Sequence, residues 1–206
     1  LLFNYLTSYS HPSDWKHFSV APITLYQKLM YLIDREIEKS TPENPGLIFA
    51  KMNQLAHRDL IPKLYQASLS GVKIQLLVRG VCCLRPGIPD VSENIEVRSI
   101  LGRFLEHSRI FYFKNGGEGE FYLSSADWMS RNLHNRVEVM FPIYNKNLQN
   151  TLWNILTTCW QDNSKSWQLN PDGTYTKRHP LEGEKPFIAQ EKFIELTKNH
   201  RNKSTK

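Results

Sequence analysis

At 206 residues, 40% of them hydrophobic, 12% aromatic and 22% charged, the chain has the composition of a soluble globular protein, which excludes disorder and collagen-like structure. Its apolar runs fall far short of the ~20 residues that a membrane-crossing helix needs. Lys and Arg number 26 against 20 Asp and Glu, and the net charge of +6 favours a polyanionic partner such as nucleic acid, acidic headgroups, phosphate chains or nucleotides.

The opening Leu1-Leu2-Phe3-Asn4-Tyr5 has neither a basic n-region nor a cleavage site, and it reads as part of a longer chain rather than a signal peptide. Residues 24–39 carry Leu25, Leu29, Leu32, Ile33 and Ile37 at helical spacing, with Thr24 as N-cap. A buried strand is predicted over 46–53. A helix follows from Asp59 to Ser70, closed by Gly71, and then a central strand over 72–78. A helix between two such strands implies a crossover connection and a parallel pair, hence an α/β layered fold.

Residues 82–94, with Pro86, Gly87 and Pro89, read as a long loop. Further strands are predicted at 95–100, 109–113, 121–124 and 137–143, and an amphipathic helix at 148–160. The polar stretch 164–186 suggests that the domain proper, 1–162, ends near Asp162. The extension 163–206 is then a peripheral arm with a short helix at 186–198 and a frayed basic tail. Cys82, Cys83 and Cys159 give no disulfide framework and no zinc spacing, which fits a reducing, cytoplasmic setting.

Ligands in such sheets bind beyond the carboxyl ends of strands. Arg79 follows one predicted strand, and Lys51 and Asn53 sit at the end of the one before it. At the predicted start of another strand, His107 and Arg109 are expected to share a side, since side chains alternate with period two. Arg supplies fixed charge and paired donors to phosphoryl oxygens, while His can donate a proton, accept one or attack phosphorus. Ser124 and Ser125 add hydroxyls, and Asp127 is placed to orient an imidazole. Each residue alone has an ordinary structural reading: a solvated His–Arg pair, an N-cap or Asx-turn before Trp128, a sheet-edge cap at Arg79, an Arg136–Glu138 pair. The convergence of Lys51, Arg79, Arg103, His107, Arg109 and Arg136 on the ends of one inferred sheet favours a site.

His107-x-Arg109, then Ser124-Ser125-Ala126-Asp127-Trp128, then Arg131-Asn132 and Arg136-Val137-Glu138, resembles one half of a phospholipase D-like site. That superfamily has His-x-Lys, a Gly-Ser-x-Asn turn and a downstream Glu; here Arg109 replaces the Lys and Asp127 stands in the Asn position. Longer stretches, Leu77-Val78-Arg79-Gly80-Val81-Cys82-Cys83-Leu84-Arg85-Pro86-Gly87, Arg103-Phe104-Leu105-Glu106-His107-Ser108-Arg109 and Tyr122-Leu123-Ser124-Ser125-Ala126-Asp127-Trp128-Met129, are similar to the C-terminal part of bacterial polyphosphate kinases of the first type. The likeness runs to about Trp160.

The resemblance implies a phospholipase D-like mixed α/β sheet flanked by helices, with a small C-terminal helical appendage. It implies a cytoplasmic transferase that moves the terminal phosphate of ATP reversibly onto polyphosphate through a phosphohistidine in an upstream domain, with Mg2+ held chiefly by that domain and the nucleotide. Arg79 and His107 would bind the nucleotide phosphates with help from Arg136, and Arg109, Lys51, Asn53, Ser125 and Asp127 would complete the ATP and polyphosphate site. His107 would position phosphate or transfer protons rather than carry it. Expected partners are ATP or ADP, polyphosphate, the chain's own upstream domains, a second copy in the intact enzyme and a membrane periphery, with no specific nucleic acid. Two other readings are a phosphodiesterase or nuclease half-site that dimerises, and a non-catalytic polyanion-binding module.

Overall fold

The computed structural model describes residues 17–204, with side chains through Lys198. In chain order the elements are β1 (Ser19–Ala21), α1 (Leu25–Lys39), β2 (Leu47–Met52), α2 (Leu60–Leu69), β3 (Lys73–Val78), β4 (Ile95–Ile100), β5 (Ile110–Phe113), a 3-10 turn (Asn115–Gly117), β6 (Glu120–Ser124), α3 (Ser130–His134), β7 (Glu138–Ile143), α4 (Lys146–Gln161), β8 (Ser166–Leu169), β9 (Tyr175–Lys177) and α5 (Ala189–Ser204). The strands form one mixed sheet in the order β1-β7-β6-β5-β2-β3-β4-β8-β9. The crossover through α2 makes β2 and β3 parallel, and β4 continues in the same direction, whereas the remaining neighbours are antiparallel.

Alternation along β2 sorts the two faces. Ile48, Ala50 and Met52 join Leu25, Leu29, Leu32 and Ile33 of α1 and Leu60 and Leu64 of α2 in the larger core. Phe49 faces the other way, onto Leu152, Leu156 and Cys159 of α4. The α1 stripe also buries Glu36, whose carboxylate accepts the backbone N–H of Leu47 at 3.2 Å and of Asn115 at 2.6 Å, stitching the start of β2 to the turn after β5. Gly71, at φ +80, ends α2 in the left-handed region as the sequence suggests.

Four expectations need correction. Thr24 occupies the N-cap position of α1, but its hydroxyl accepts the N–H of Val20 at 3.0 Å rather than a helix amide. Asp59 does not cap α2 through its side chain; His57 Nδ1 instead faces the Asp59 and Leu60 amides at 3.2 and 3.3 Å. Beyond Asp162, where a boundary was expected, β8 pairs with β4 and β9 with β8, so the polar stretch extends the sheet. Asp162 is itself buried and ties the end of α4 to both β8 and α5, accepting Ser164 and Lys165 amides on Oδ1 and the Ala189 amide on Oδ2. The helix expected at 186–198 runs from Ala189 to Ser204, into the segment expected to fray. Leu1-Leu2-Phe3-Asn4-Tyr5 and Lys206 lie outside the described residues.

Candidate functional site

Strand direction brings the sequence candidates to one edge. The ends of β2, β3, β4 and β6 meet the starts of β5 and β7 there, as the registers Lys51↔Ile110, Ile110↔Leu123 and Ser124↔Met140 show. Lys51 and Asn53 leave β2, Arg79 leaves β3, His107 and Arg109 lead into β5, Ser125 and Asp127 leave β6, and Arg136 leads into β7.

Hydrogen bonds tie most of these residues together. Arg79 donates from Nε and Nη2 to Asn53 Oδ1 at 3.2 and 2.8 Å. The Asn53 amide donates to Asp127 Oδ1 at 2.8 Å. Arg109 spans the same carboxylate, Nε to Oδ1 at 3.1 Å and Nη2 to Oδ2 at 3.2 Å, while its Nη1 donates to the His107 carbonyl at 2.9 Å. On the α4 face, Lys51 Nζ donates to Ser108 Oγ and pairs with Glu106 Oε2, both at 3.0 Å.

These contacts divide the cations. Lys51 and Arg109 are charge-matched by Glu106 and Asp127, so they hold the framework. Arg79 is gripped by a neutral amide, which fixes its fork, and among the described residues it has no carboxylate at ion-pair distance; Glu106 acts on it only from further off. His107, Arg103 and Arg136 are exposed. A guanidinium oriented by a neutral partner, on an edge that also carries an exposed imidazole, is an anion-binding arrangement.

Several expectations fall differently. His107 and Arg109 lie in the loop before β5 rather than on the strand, so their shared placement comes from the Arg109-to-His107 carbonyl bond and not from strand alternation. Asp127 orients a guanidinium, not an imidazole. Ser125 is engaged internally: its Oγ donates to Glu138 Oε2 and accepts the Val139 amide at 3.0 Å. Glu138 is shared by Ser125 and Asn132, so the Arg136–Glu138 pair does not form. Arg103 lies over the Phe104 ring at 5.4 Å.

The sequence reading missed Gln190. From the start of α5 it accepts the Phe104 amide on Oε1 at 2.8 Å and donates from Nε2 to the Phe104 carbonyl at 2.8 Å and to Glu106 Oε1 at 2.9 Å. Gly102 makes room for it, because a Cβ there would collide with the Gln190 side chain. The expected peripheral arm therefore braces the loop that carries His107. Burial opposes ionisation of Glu106, but Lys51, Gln190 and Arg79 outweigh it and hold the carboxyl below its ordinary range.

The described residues contain no group of three or more His, Cys, Asp or Glu side chains able to hold a metal. Asp127, Glu106 and Glu138 are each occupied by protein donors. Among the described residues these carboxylates are thus engaged within the fold. The crevice between Lys51, Arg79, Glu106 and Ile100 measures 20 Å³, room for about one water. A cavity of 470 Å³ borders the same loop on the α5 side, lined by Phe104, Glu106, Gln190, Ile155, Phe193 and Ile194, and one of 520 Å³ lies at the opposite end of β6, lined by Lys28, Glu120 and Tyr144. Among the described residues no helix is long and apolar enough to cross a membrane.

Comparison with known proteins agrees with this geometry. Residues 18–190 match the family model described as polyphosphate kinase C-terminal domain 2. The polyphosphate kinase of Synechocystis sp. is 49% identical over 192 residues, 93% of this chain and 26% of that protein. The crystal structure of the Porphyromonas gingivalis polyphosphate kinase superposes with a TM-score of 0.92 at 37% identity, covering 98% of this chain and 31% of that one. Nuc, a phospholipase D family member from Salmonella typhimurium, shares the fold at a TM-score of 0.55 and 13% identity, over 74% of this chain and 96% of that one. The chain spans about a quarter of the length of the relatives it matches. With nearly the whole sheet and its charged edge inside the matched region, the chain belongs to the polyphosphate kinase C-terminal domain 2 family.

Proposed function

We propose that this segment is the C-terminal catalytic half of a polyphosphate kinase, working with an upstream part of a longer chain. The observation that carries the reading is Arg79, its fork fixed by Asn53 and with no carboxylate at ion-pair distance among the described residues, on the same open edge as His107 and Arg136. Phosphoryl transfer depends mainly on positioning and on neutralising spread negative charge, which a row of guanidiniums with one imidazole supplies. The open edge, with no enclosed phosphate pocket of its own, suits a half-site completed by a facing surface.

In the proposed reaction an upstream histidine nitrogen attacks the terminal phosphorus of ATP, the bond to the bridging oxygen breaks, and ADP leaves. The end oxygen of polyphosphate then attacks the phosphohistidine, the P–N bond breaks, and the chain is longer by one unit. Arg79 and Arg136 bind the moving phosphoryl and its neighbours, and His107 positions phosphate and transfers protons. Lys51, Asn53, Arg109, Ser125 and Asp127 hold that constellation in place. Magnesium belongs with the nucleotide phosphates and the upstream part. The free cysteines suit a reducing cytoplasm.

The test is polyphosphate synthesis from ATP by the full-length protein and by the 206-residue segment alone. The full-length protein is expected to synthesise polymer, to lose about 100-fold or more of its kcat/KM on Arg79→Ala or His107→Ala, and to keep its fold. The segment alone is expected to make none. Near-normal synthesis by either variant, or by the isolated segment, would overturn the reading.

A further inference from the structure

Two histidines outside the charged edge meet where the link from β2 to α2 touches the end of α3, His57 buried and His134 exposed. His57 is fully buried in the segment linking β2 to α2, and its Nε2 lies 2.9 Å from Nε2 of His134 at the end of α3. Tyr26 of α1 covers both rings, stacked on His57 at 5.2 Å between centroids and tilted against His134 at 5.1 Å. The proton inventory of the pair is fixed by its neighbours. Because His57 Nδ1 faces two backbone N–H donors, those of Asp59 and Leu60, it must be the acceptor. A neutral His57 then carries its proton on Nε2 and donates to an unprotonated His134 Nε2.

Either extra proton breaks this arrangement. On His134 Nε2 it would set two N–H groups head to head; on His57 Nδ1 it would expel both helix-capping bonds. Both elements joined by the pair position the edge. The segment holding His57 is zipped by backbone bonds to its neighbours, Leu55 N–H to the Val81 carbonyl at 2.8 Å and Ala56 N–H to the Trp128 carbonyl at 2.9 Å, beside Arg79 and Asp127. The helix ending at His134 carries Asn132, which grips Glu138 two residues past Arg136.

We infer that His57 and His134 form a proton-sensitive latch that positions the Arg136–Glu138 arm against the edge, closed while both rings are neutral and opened by one proton on either. The inference rests on reading that edge as a phosphate site. The charged and titratable groups around the pair are Arg58 and Asp59 on the His57 segment, Tyr26 on α1, Lys63 on α2 and Arg131 on α3. Lys63 is paired with Asp34 at 2.5 Å, and Arg58 is mostly exposed beside Asp59.

Burial, with His134 and Arg58 adding to it against Asp59, pushes the His57 pKa down. The folded state then binds this proton less readily than the unfolded chain. Its stabilising contribution is present above about pH 6.5, the unfolded value, and is lost as the pH falls through the lowered folded value.

The test uses the full-length protein with His134→Gln, whose amide oxygen accepts from His57 at any pH, and His57→Asn, which keeps a cap for α2 but does not reach His134. Imidazole nitrogen NMR is expected to place the His57 proton on Nε2 at pH 7.5. Amide exchange in α3 of the wild type is expected to speed up by roughly tenfold beyond the intrinsic rate as the pH is lowered from 7.5 through the range, below about 6.5, where His57 takes up its proton. His57→Asn should show the fast α3 exchange throughout that range, and His134→Gln should keep the slow exchange to lower pH than the wild type, until His57 itself takes up a proton. Synthesis by His134→Gln should match wild type within about twofold at pH 7.5 and exceed it by roughly tenfold where only the wild-type α3 exchange has sped up. A His57 proton on Nδ1 at pH 7.5, or α3 exchange and activity profiles that run parallel in wild type and His134→Gln, would overturn the latch. Absence of synthesis in every protein at every pH would overturn the functional reading instead, and the NMR and exchange results would still decide the latch.

Discussion

The two edges of the sheet carry similar charged residues and use them in opposite ways. At the edge where β6 begins, Arg35 grips Glu120 through two bonds of 3.1 and 2.8 Å, and Tyr122 and Asn115 fill the remaining carboxylate positions at 2.9 and 3.0 Å. Glu36 joins β2 to the turn, and Lys39 donates to Asn115 at 2.7 Å. There the carboxylates of Glu36 and Glu120 are filled by protein donors and Arg35 is matched by Glu120, while Lys39 and Lys114 are held by neutral side-chain and backbone oxygens that close the fold. At the edge where β6 ends, Lys51 and Arg109 are matched by carboxylates, while among the described residues Arg79, Arg136 and His107 have no carboxylate at ion-pair distance. Charge that the protein does not neutralise is a better mark of a phosphate site than charge density itself.

That contrast can be broken from either side. Asp127→Ala should have the largest effect on stability, about 3 kcal/mol or more, because it strands a half-buried Arg109 and the Asn53 amide together; denaturant unfolding measures it. Glu120→Gln at the opposite edge should cost about 2 kcal/mol in the same experiment by weakening its bonds to Arg35 and Tyr122. It should leave synthesis unchanged at temperatures where the protein is folded, and a loss of activity there would erase the distinction between the edges. Gln190→Ala should have a smaller effect, about a tenfold fall in kcat/KM, with faster amide exchange confined to residues 101–108. Unchanged exchange in that loop would mean that α5 does not brace it.

The architecture was legible because it depends on local periodicity. The stripe of α1, the α2 crossover and the alternating strand ends were enough to place Lys51, Arg79, His107, Arg109 and Arg136 at one edge. What stayed hidden depends on partners distant in sequence. Nothing local says that Arg109 will spend its charge on Asp127, or that Gln190 will reach back 86 residues to Phe104. The one local signal for that approach was Gly102, a residue with no side chain beside a charged loop. β9 escaped notice because an edge strand exposed to water needs no apolar period: Tyr175, Thr176 and Lys177 are all exposed. β8, paired on both sides, buries only Ser166 and Leu169, too few positions to show a period. His57 replaced Asp59 as the cap of α2, a role that a ring nitrogen fills only when the backbone turns it inward.

The most direct test of the central claim is a titration of tripolyphosphate into the isotopically labelled protein, followed by the side-chain resonances of Arg79, His107, Arg136 and Arg35. The account predicts saturable shifts at Arg79, His107 and Arg136 that weaken steeply with salt, and none at Arg35. Shifts at Arg35 as large as those at Arg79, or no shift at Arg79 at saturating ligand, would contradict it.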